Sequence, residues 1–197
     1  MKKLCFLFIP VLLLLVFSCK KDEETKTITE SPGKVAIQSK LVVDTVGIFN
    51  NGSFEFGQKI YFSRNGKITQ LGCLMPSKGN FRVSLWDFTS KDLIVATQVT
   101  ITDTTTFTYA DIADISVTAS TRYVISINNT SGGTNKPYYK AYKKPISGSS
   151  IYPFTSKSIT YESNQYKVSN VSVFPDLVDV LTDYYGGIPD VVFEYEE

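Results

Sequence analysis

From Val35 onward the chain is a succession of short alternating apolar runs separated by turn residues, and no other feature limits its fold so strongly. Side chains on a strand point alternately to two faces, so Val35, Ile37, Leu41 and Val43 suggest a first strand. By the same rule Phe54, Phe56, Ile60 and Phe62 suggest a second, and residues 68–75 a third. Asn50-Asn51-Gly52 and Asn65-Gly66 supply residues that accept positive φ at turns. Leu93, Val95, Val99 and Ile101 share one parity, and Tyr123, Ile125 and Ile127 share another after a Thr-rich connection. Residues 136–142, 158–162, 166–174 and 190–195 bring the total to roughly ten short strands. Only residues 176–183 suggest a short helix. The pattern predicts an all-β fold, a two-sheet antiparallel β-sandwich of jelly-roll-like type. A length of 197 residues, 43% of them hydrophobic, suits one such domain plus a targeting segment.

The strand over residues 80–88 carries the chain's single tryptophan. Phe81, Val83 and Leu85 fall on one face, and Arg82, Ser84 and Trp86 on the other. Trp86 on a polar face reads as a platform for stacking a sugar ring, with Arg82, Ser84 and Asp87 beside it to exchange hydrogen bonds. The competing reading is structural: a bulge or the strand end turns the indole inward, or a long connection covers it.

The sequence contains no histidine. That excludes Ser-His-Asp and Cys-His nucleophilic catalysis and every His-ligated metal site, leaving carboxylate, tyrosine or lysine chemistry for any enzyme. No motif asks for a cofactor. Cys73, within Leu71-Gly72-Cys73-Leu74-Met75, reads as a small buried hydrophobe. The formal charge is +1; without Lys2 and Lys3, 18 basic residues face 19 acidic ones, so nothing draws the domain to nucleic acid.

The amino-terminal residues give an address. Met1-Lys2-Lys3 precedes an apolar run over residues 4–17 and then Ser18-Cys19, the layout of a secretory signal whose apolar part is short for a membrane span. Val16-Phe17-Ser18-Cys19 resembles a bacterial lipobox, in which the cysteine is acylated and becomes the new amino terminus. The resemblance implies a partner, the lipid of the outer membrane, held through Cys19 by several acyl chains. Lys20-Lys21-Asp22-Glu23-Glu24 resembles the surface-export signal of Bacteroides-like lipoproteins, which implies an outward-facing anchor. Residues 20–34 also read as a polar, aperiodic tether ending in Ser31-Pro32-Gly33. The expected organisation is therefore a signal peptide over 1–18, an acylated Cys19 and flexible linker over 19–34, and a β-sandwich over 35–197.

Two aromatic stretches are the further candidates for ligand contact. In strand geometry Tyr138, Lys140 and Tyr142 line one face with Lys136 and Lys144, interleaving rings and positive charge as an anionic polysaccharide or lipid headgroup would require, with Tyr139 beside them. A lysine-protected edge strand predicts the same residues. Tyr184 and Tyr185, before Gly186-Gly187, suggest a second aromatic loop near the polar loop over residues 128–135. Asp111 with Asp114, and Asp176 with Asp179, are calcium candidates without the spacing of a known loop. Asp44-Thr45-Val46 and Asp103-Thr104-Thr105 resemble a short O-glycosylation pattern of secreted Bacteroides-like proteins.

The order of several motifs resembles a family of extracellular bacterial domains of uncharacterised role, domain of unknown function number 4082. The resemblance runs over residues 47–193. Its carriers are Phe56-Gly57 with Ile60-Tyr61-Phe62, Gly66-Lys67-Ile68, Val83-Ser84-Leu85-Trp86-Asp87, residues 93–96, Tyr123-Val124-Ile125-Ser126, Phe174-Pro175 and Asp190-Val191-Val192-Phe193. The family usually has a glycine shortly after the Leu-Trp turn, where this chain has Phe88-Thr89-Ser90-Lys91, and its closing aromatic strand is altered to Tyr184-Tyr185-Gly186-Gly187-Ile188-Pro189. The resemblance implies a β-sandwich of secreted proteins, often beside carbohydrate-active or adhesive modules, and carries over no catalytic residue. The expected function is a lipid-anchored, non-catalytic binding or adhesion module directed to glycan. A structural or accessory subunit of a surface assembly is the alternative, and a carboxylate-based glycoside hydrolase ranks third.

Overall fold

The computed structural model describes residues 25–143 and 150–197. The first half of the described chain contains β1 (Thr27–Glu30), α1 (Pro32–Gln38), β2 (Thr45–Phe49), β3 (Phe54–Phe62), β4 (Gly66–Cys73), β5 (Gly79–Asp87) and β6 (Leu93–Ile101). There follow β7 (Thr108–Val117), β8 (Arg122–Asn128), β9 (Thr130–Ser131), β10 (Thr134–Asn135) and β11 (Tyr138–Tyr142). The last are β12 (Phe154–Ser156), β13 (Ile159–Val168), β14 (Leu177–Val178), β15 (Tyr184–Gly186) and β16 (Pro189–Glu196).

The strands form a seven-stranded sheet in the order β12-β13-β3-β8-β5-β6, with β14 on β13. A four-stranded sheet, β1-β16-β4-β7, and a three-stranded sheet, β15-β11-β2, accompany it, and β9 and β10 make a small hairpin. One buried cluster joins the sheets: Phe56, Ile60 and Phe62 of β3 with Val83 and Leu85 of β5, Ile68 and Leu71 of β4, Phe193 of β16, Tyr138 of β11 and Tyr185 of β15. The rings of Phe62 and Phe193 lie 4.6 Å apart and those of Phe56 and Tyr138 4.4 Å apart, so aromatic pairs stitch the large sheet to both smaller ones. This is the all-β, antiparallel, sandwich-like architecture that the alternation predicts.

Local assignments differ in five places. The expected first strand at Val35 is instead helix α1. Pro32 occupies its first turn, where a missing N–H removes no hydrogen bond, and Ser31 makes no side-chain cap. The capping comes from across the chain: the Asp190 carboxylate accepts the backbone N–H groups of Gly33 and Lys34, both at 2.8 Å. A third donor, the Tyr109 hydroxyl, also lies at 2.8 Å. Burial raises Asp190 to a pKa of about 6 against these donors, which favour its charged form.

The flexible linker expected over 19–34 is shorter than its composition suggests. Thr27–Glu30 pairs with β16, Ile28 opposite Tyr195, and the Glu30 carboxylate accepts the Ser158 N–H at 2.9 Å and the Tyr195 hydroxyl at 3.1 Å. A polar sequence here satisfies an edge strand, so the folded part begins near Thr27 rather than Val35. The signal over 1–18, Cys19 and residues 20–24 lie outside the described residues, as does Lys144.

The Thr-rich connection before Tyr123 contains β7, which shields the edge of β4. The two strands expected over 158–162 and 166–174 are one strand, β13, with a register shift between Tyr161 and Ser163, and Phe174 lies in irregular chain. The short helix expected over 176–183 is replaced by β14 and irregular chain.

Candidate ligand-binding site

The face of the large sheet that turns away from the core carries Arg82, Ser84 and Trp86 from β5, Ser126 and Asn128 from β8, and Glu55 from β3. Trp86 is only 7% exposed, and the platform reading is thereby corrected. Its register against β6 shifts between Leu85 and Trp86, and its indole N–H donates to Ser126 Oγ at 2.8 Å. Residues 169–176 form a strap over it. Phe174 meets the indole edge-on at 6.0 Å, and Asn128 Nδ2 donates to the carbonyls of Ser169 and Val171 at 3.3 and 3.0 Å. The strap sits so close that a Cβ on Gly57 would stand 2.6 Å from Pro175 Cγ and 2.9 Å from Val124 Cγ1.

Beneath the strap lies Glu55, which is fully buried. Ser126 Oγ donates to its Oε1, while Oε2 has no hydrogen bond of normal geometry. Burial raises the carboxyl from its ordinary 4.5 to about 7; Ser126, Asn128, Ser172 and the Val173 amide pull it part of the way back.

At the end of the strap the same face opens into a groove of about 400 Å³, walled by Asn80, Arg82, Gln98, Asn128, Thr130, Ser131, Asn170 and Ser172. Arg82 of β5 pairs in register with Gln98 of β6. Val83 pairs with Ile127 of β8, which places Asn128 on the other side of Arg82. Gln98, Arg82 and Asn128 therefore make a row of planar polar groups across three adjacent strands. The rim is ordered by the β9–β10 hairpin: Ser131 Oγ accepts the Asn80 N–H at 3.1 Å, and Asn128 Oδ1 accepts the Thr130 N–H at 3.0 Å. Among the described residues Arg82 has no hydrogen bond, ion pair or ring partner. The other two arginines do: Arg122 forks onto Glu162 at 3.0–3.2 Å, and Arg64 lies 4.3 Å over the Tyr195 ring.

The tyrosine-rich face expected to carry binding is packed instead. β11 is the central strand of its sheet, with β2 on one side and β15 on the other, so it is not an edge strand. Tyr138 is 1% exposed and its hydroxyl donates to Asn51 Oδ1 at 2.7 Å. Tyr139 is half-buried and donates to the Thr104 carbonyl at 3.0 Å; Tyr142 is half-buried. Tyr185 is buried and donates to the Pro189 carbonyl at 2.7 Å. Tyr184, also buried, donates to the Asp179 carboxylate and sits opposite Tyr142 in a strand, not a loop. Lys140 Nζ lies 3.9 Å over the Tyr184 ring, and burial lowers its pKa while Asp179 and Asp183 oppose that shift. Tyr138, Lys140 and Tyr184 do share a cavity with Asp179, but it measures only about 200 Å³. Its polar wall is internally satisfied through Asn164, which accepts from Gln58 at 2.7 Å and donates to Asp179 at 3.3 Å.

Comparison with protein-family models gives no match, and comparison with curated proteins gives no significant match. The site is therefore argued from geometry alone. The calcium candidates are engaged elsewhere: Asp111 accepts from Gln70, Asp114 pairs with Lys67, Asp176 with Lys167, and Asp179 with Tyr184. Among the described residues no group of three His, Cys, Asp or Glu side chains is placed to hold a metal ion.

Of the eight ligand-contact candidates, only Arg82 stands in the groove. Sequence reasoning missed Asn80, Gln98, Asn128, Ser172 and Glu55. Asn80 and Gln98 were within reach, because Asn80 shares Arg82's parity and a β5–β6 hairpin register would have set Gln98 beside it. Ser172 and the burial of Glu55 depend on a strap more than 100 residues further along, and carry no local signal.

Proposed function

We propose that this chain is a non-catalytic, surface-anchored module that binds glycan in the polar groove on the outer face of the seven-stranded sheet. The observation that carries this reading is Arg82, a guanidinium with no partner among the described residues, standing beside the Gln98 amide on about 400 Å³ of open space, while Asn128, spent on the strap carbonyls and the Thr130 N–H, closes the wall. That volume lies within the range of small-ligand sites, whereas the tyrosine-lined cavity falls below it. Sugar hydroxyls ask for such amide and hydroxyl groups on a rigid sheet. The groove contains no carboxylate pair of the kind glycoside hydrolysis needs, which ranks the hydrolase third.

In this reading Cys19 is acylated in the outer membrane. The seven residues 20–26 would then reach at most about 25 Å, so the domain sits close to the lipid rather than on a long tether. A glycan array probed with the full chain should give hits that are lost in Arg82→Ala and Gln98→Ala; hits retained by both variants would refute the site. Labelling with a clickable fatty acid should mark the wild type and not Cys19→Ala.

One observation favours a second reading, an assembly subunit. β2 pairs only with β11 among the described residues, and it exposes Val46, Ile48 and Phe49 by 40%, 63% and 38%. Such an edge invites strand addition by another protein. If it operates, Ile48→Lys abolishes self-association or partner co-purification while leaving glycan binding intact.

A further inference from the structure

We propose that the groove selects a sugar bearing a carboxylate, with Arg82 as the group that grips it. The inference rests on the glycan-binding reading above and adds the chemistry of the ligand.

Charge at the groove is one-sided. Its lining contains one ionised side chain, Arg82, among amides and hydroxyls. Glu55, on the same face of the sheet, is fully buried, and the lining holds no carboxylate to neutralise the guanidinium. Four cations elsewhere on the domain form ion pairs: Lys59 and Arg122 with Glu162, Lys67 with Asp114 and Glu194, Lys167 with Asp176. Arg82, opposite Gln98 on one strand and beside Asn128 on the other, keeps its whole fork of donors free among the described residues.

A guanidinium presents parallel N–H donors at the spacing of two carboxylate oxygens, and an ammonium does not. Adjacent strands are about 4.8 Å apart, so the row from Gln98 through Arg82 to Asn128 spans roughly 10 Å, the length of a disaccharide. A carboxylate over Arg82 puts the sugar's hydroxyls over the Gln98 amide on one side, while Asn128, bonded to Ser169, Val171 and Thr130, bounds the groove on the other. The lining has no aromatic side chain to stack a neutral ring, so hydrogen bonding and charge must supply the affinity. A single cation also disfavours densely sulfated polymers, whose binding draws on several cations at once.

The carboxylate has two natural sources, a hexuronate or a sialic-type acid, and paired ligands separate them. Calorimetric titration of the detergent-solubilised full chain would compare oligogalacturonate with its methyl ester, and sialyllactose with lactose. The acid of at least one pair should bind roughly tenfold or more tightly than its neutral twin, the pair that responds naming the source. Arg82→Gln should erase that preference and its sensitivity to salt, and Arg82→Lys should restore only part of it. Because Arg82 is exposed, an unchanged melting temperature will verify that these variants fold. Equal affinity within both pairs, or a preference that survives Arg82→Gln, overturns the inference while glycan binding stands. Failure to bind any glycan on an array overturns the parent reading with it.

Discussion

The tyrosine-rich sheet and the polar groove invert what their compositions suggest. Residues 138–142 and 184–185 concentrate rings and charge, the usual vocabulary of recognition, yet nearly every polar atom there is spent on another part of the chain. Tyr138 is committed to Asn51, Tyr185 to Pro189, Tyr184 to Asp179, and Lys140 to the Tyr184 ring. In the groove Asn128 and Ser131 are likewise tied to the chain, but its one charged wall residue, Arg82, has no partner among the described residues. Availability, not residue type, separates a site from a core. Availability is set by whether a strand is central or lateral and by what crosses over its face.

Four experiments would break or sharpen that contrast. The largest effect is expected from Tyr138→Ala, which removes a ring packed on Phe49, Phe54 and Phe56 and should destabilise the domain by about 3–5 kcal/mol in denaturant titration. A stable Tyr138→Ala protein that has lost glycan binding would reverse the assignment of the two regions.

Next comes Glu55. Its folded pKa of about 7 lies above the ordinary 4.5, so the folded state holds more protons than the unfolded chain between those values. Stability is therefore fully present below about pH 4.5 and is lost as pH rises to about 7, by roughly 3 kcal/mol from this group. Asp190 acts in the same direction between 3.8 and about 6. In Glu55→Gln the first loss disappears, so its gain over the wild type in thermal denaturation should be small at pH 5 and largest near pH 8. A gain independent of pH would show that the carboxyl titrates normally and that the strap does not seal it.

Gly57→Ala should cost about 1–3 kcal/mol by driving a methyl into Pro175 and Val124. The strap would lift and wet Trp86, which as the single tryptophan reports directly by a red shift of its fluorescence. Unshifted emission at unchanged stability would mean that the strap yields without uncovering the indole. The smallest structural effect belongs to Arg82→Ala, within about 0.5 kcal/mol as for other exposed positions, set against the loss of ligand. A large destabilisation would instead make Arg82 a structural residue and remove the centre of the groove.

Much of the framework was legible. Alternation at Phe81, Val83 and Leu85, at Tyr123, Ile125 and Ile127, and along Phe54–Phe62 reports burial on one face, because that face meets the opposing sheet whichever strand lies beside it. Reading failed where a distant partner decides the local state. α1 resembles a strand by parity until Asp190 accepts its first amides. Residues 27–30 resemble a tether until β16 pairs with them. Trp86 illustrates both: its parity was read correctly as the outer face, and only the strap explains why that face is dry.

By itself the sequence determined the fold class, the absence of histidine chemistry and the strand faces, since period-two patterning and composition are properties of the chain alone. Tertiary structure decided which polar groups are free. Hydrogen-bond partners and covering segments come from residues far apart in the chain, and for Arg82 the deciding fact is that none arrives from the described residues.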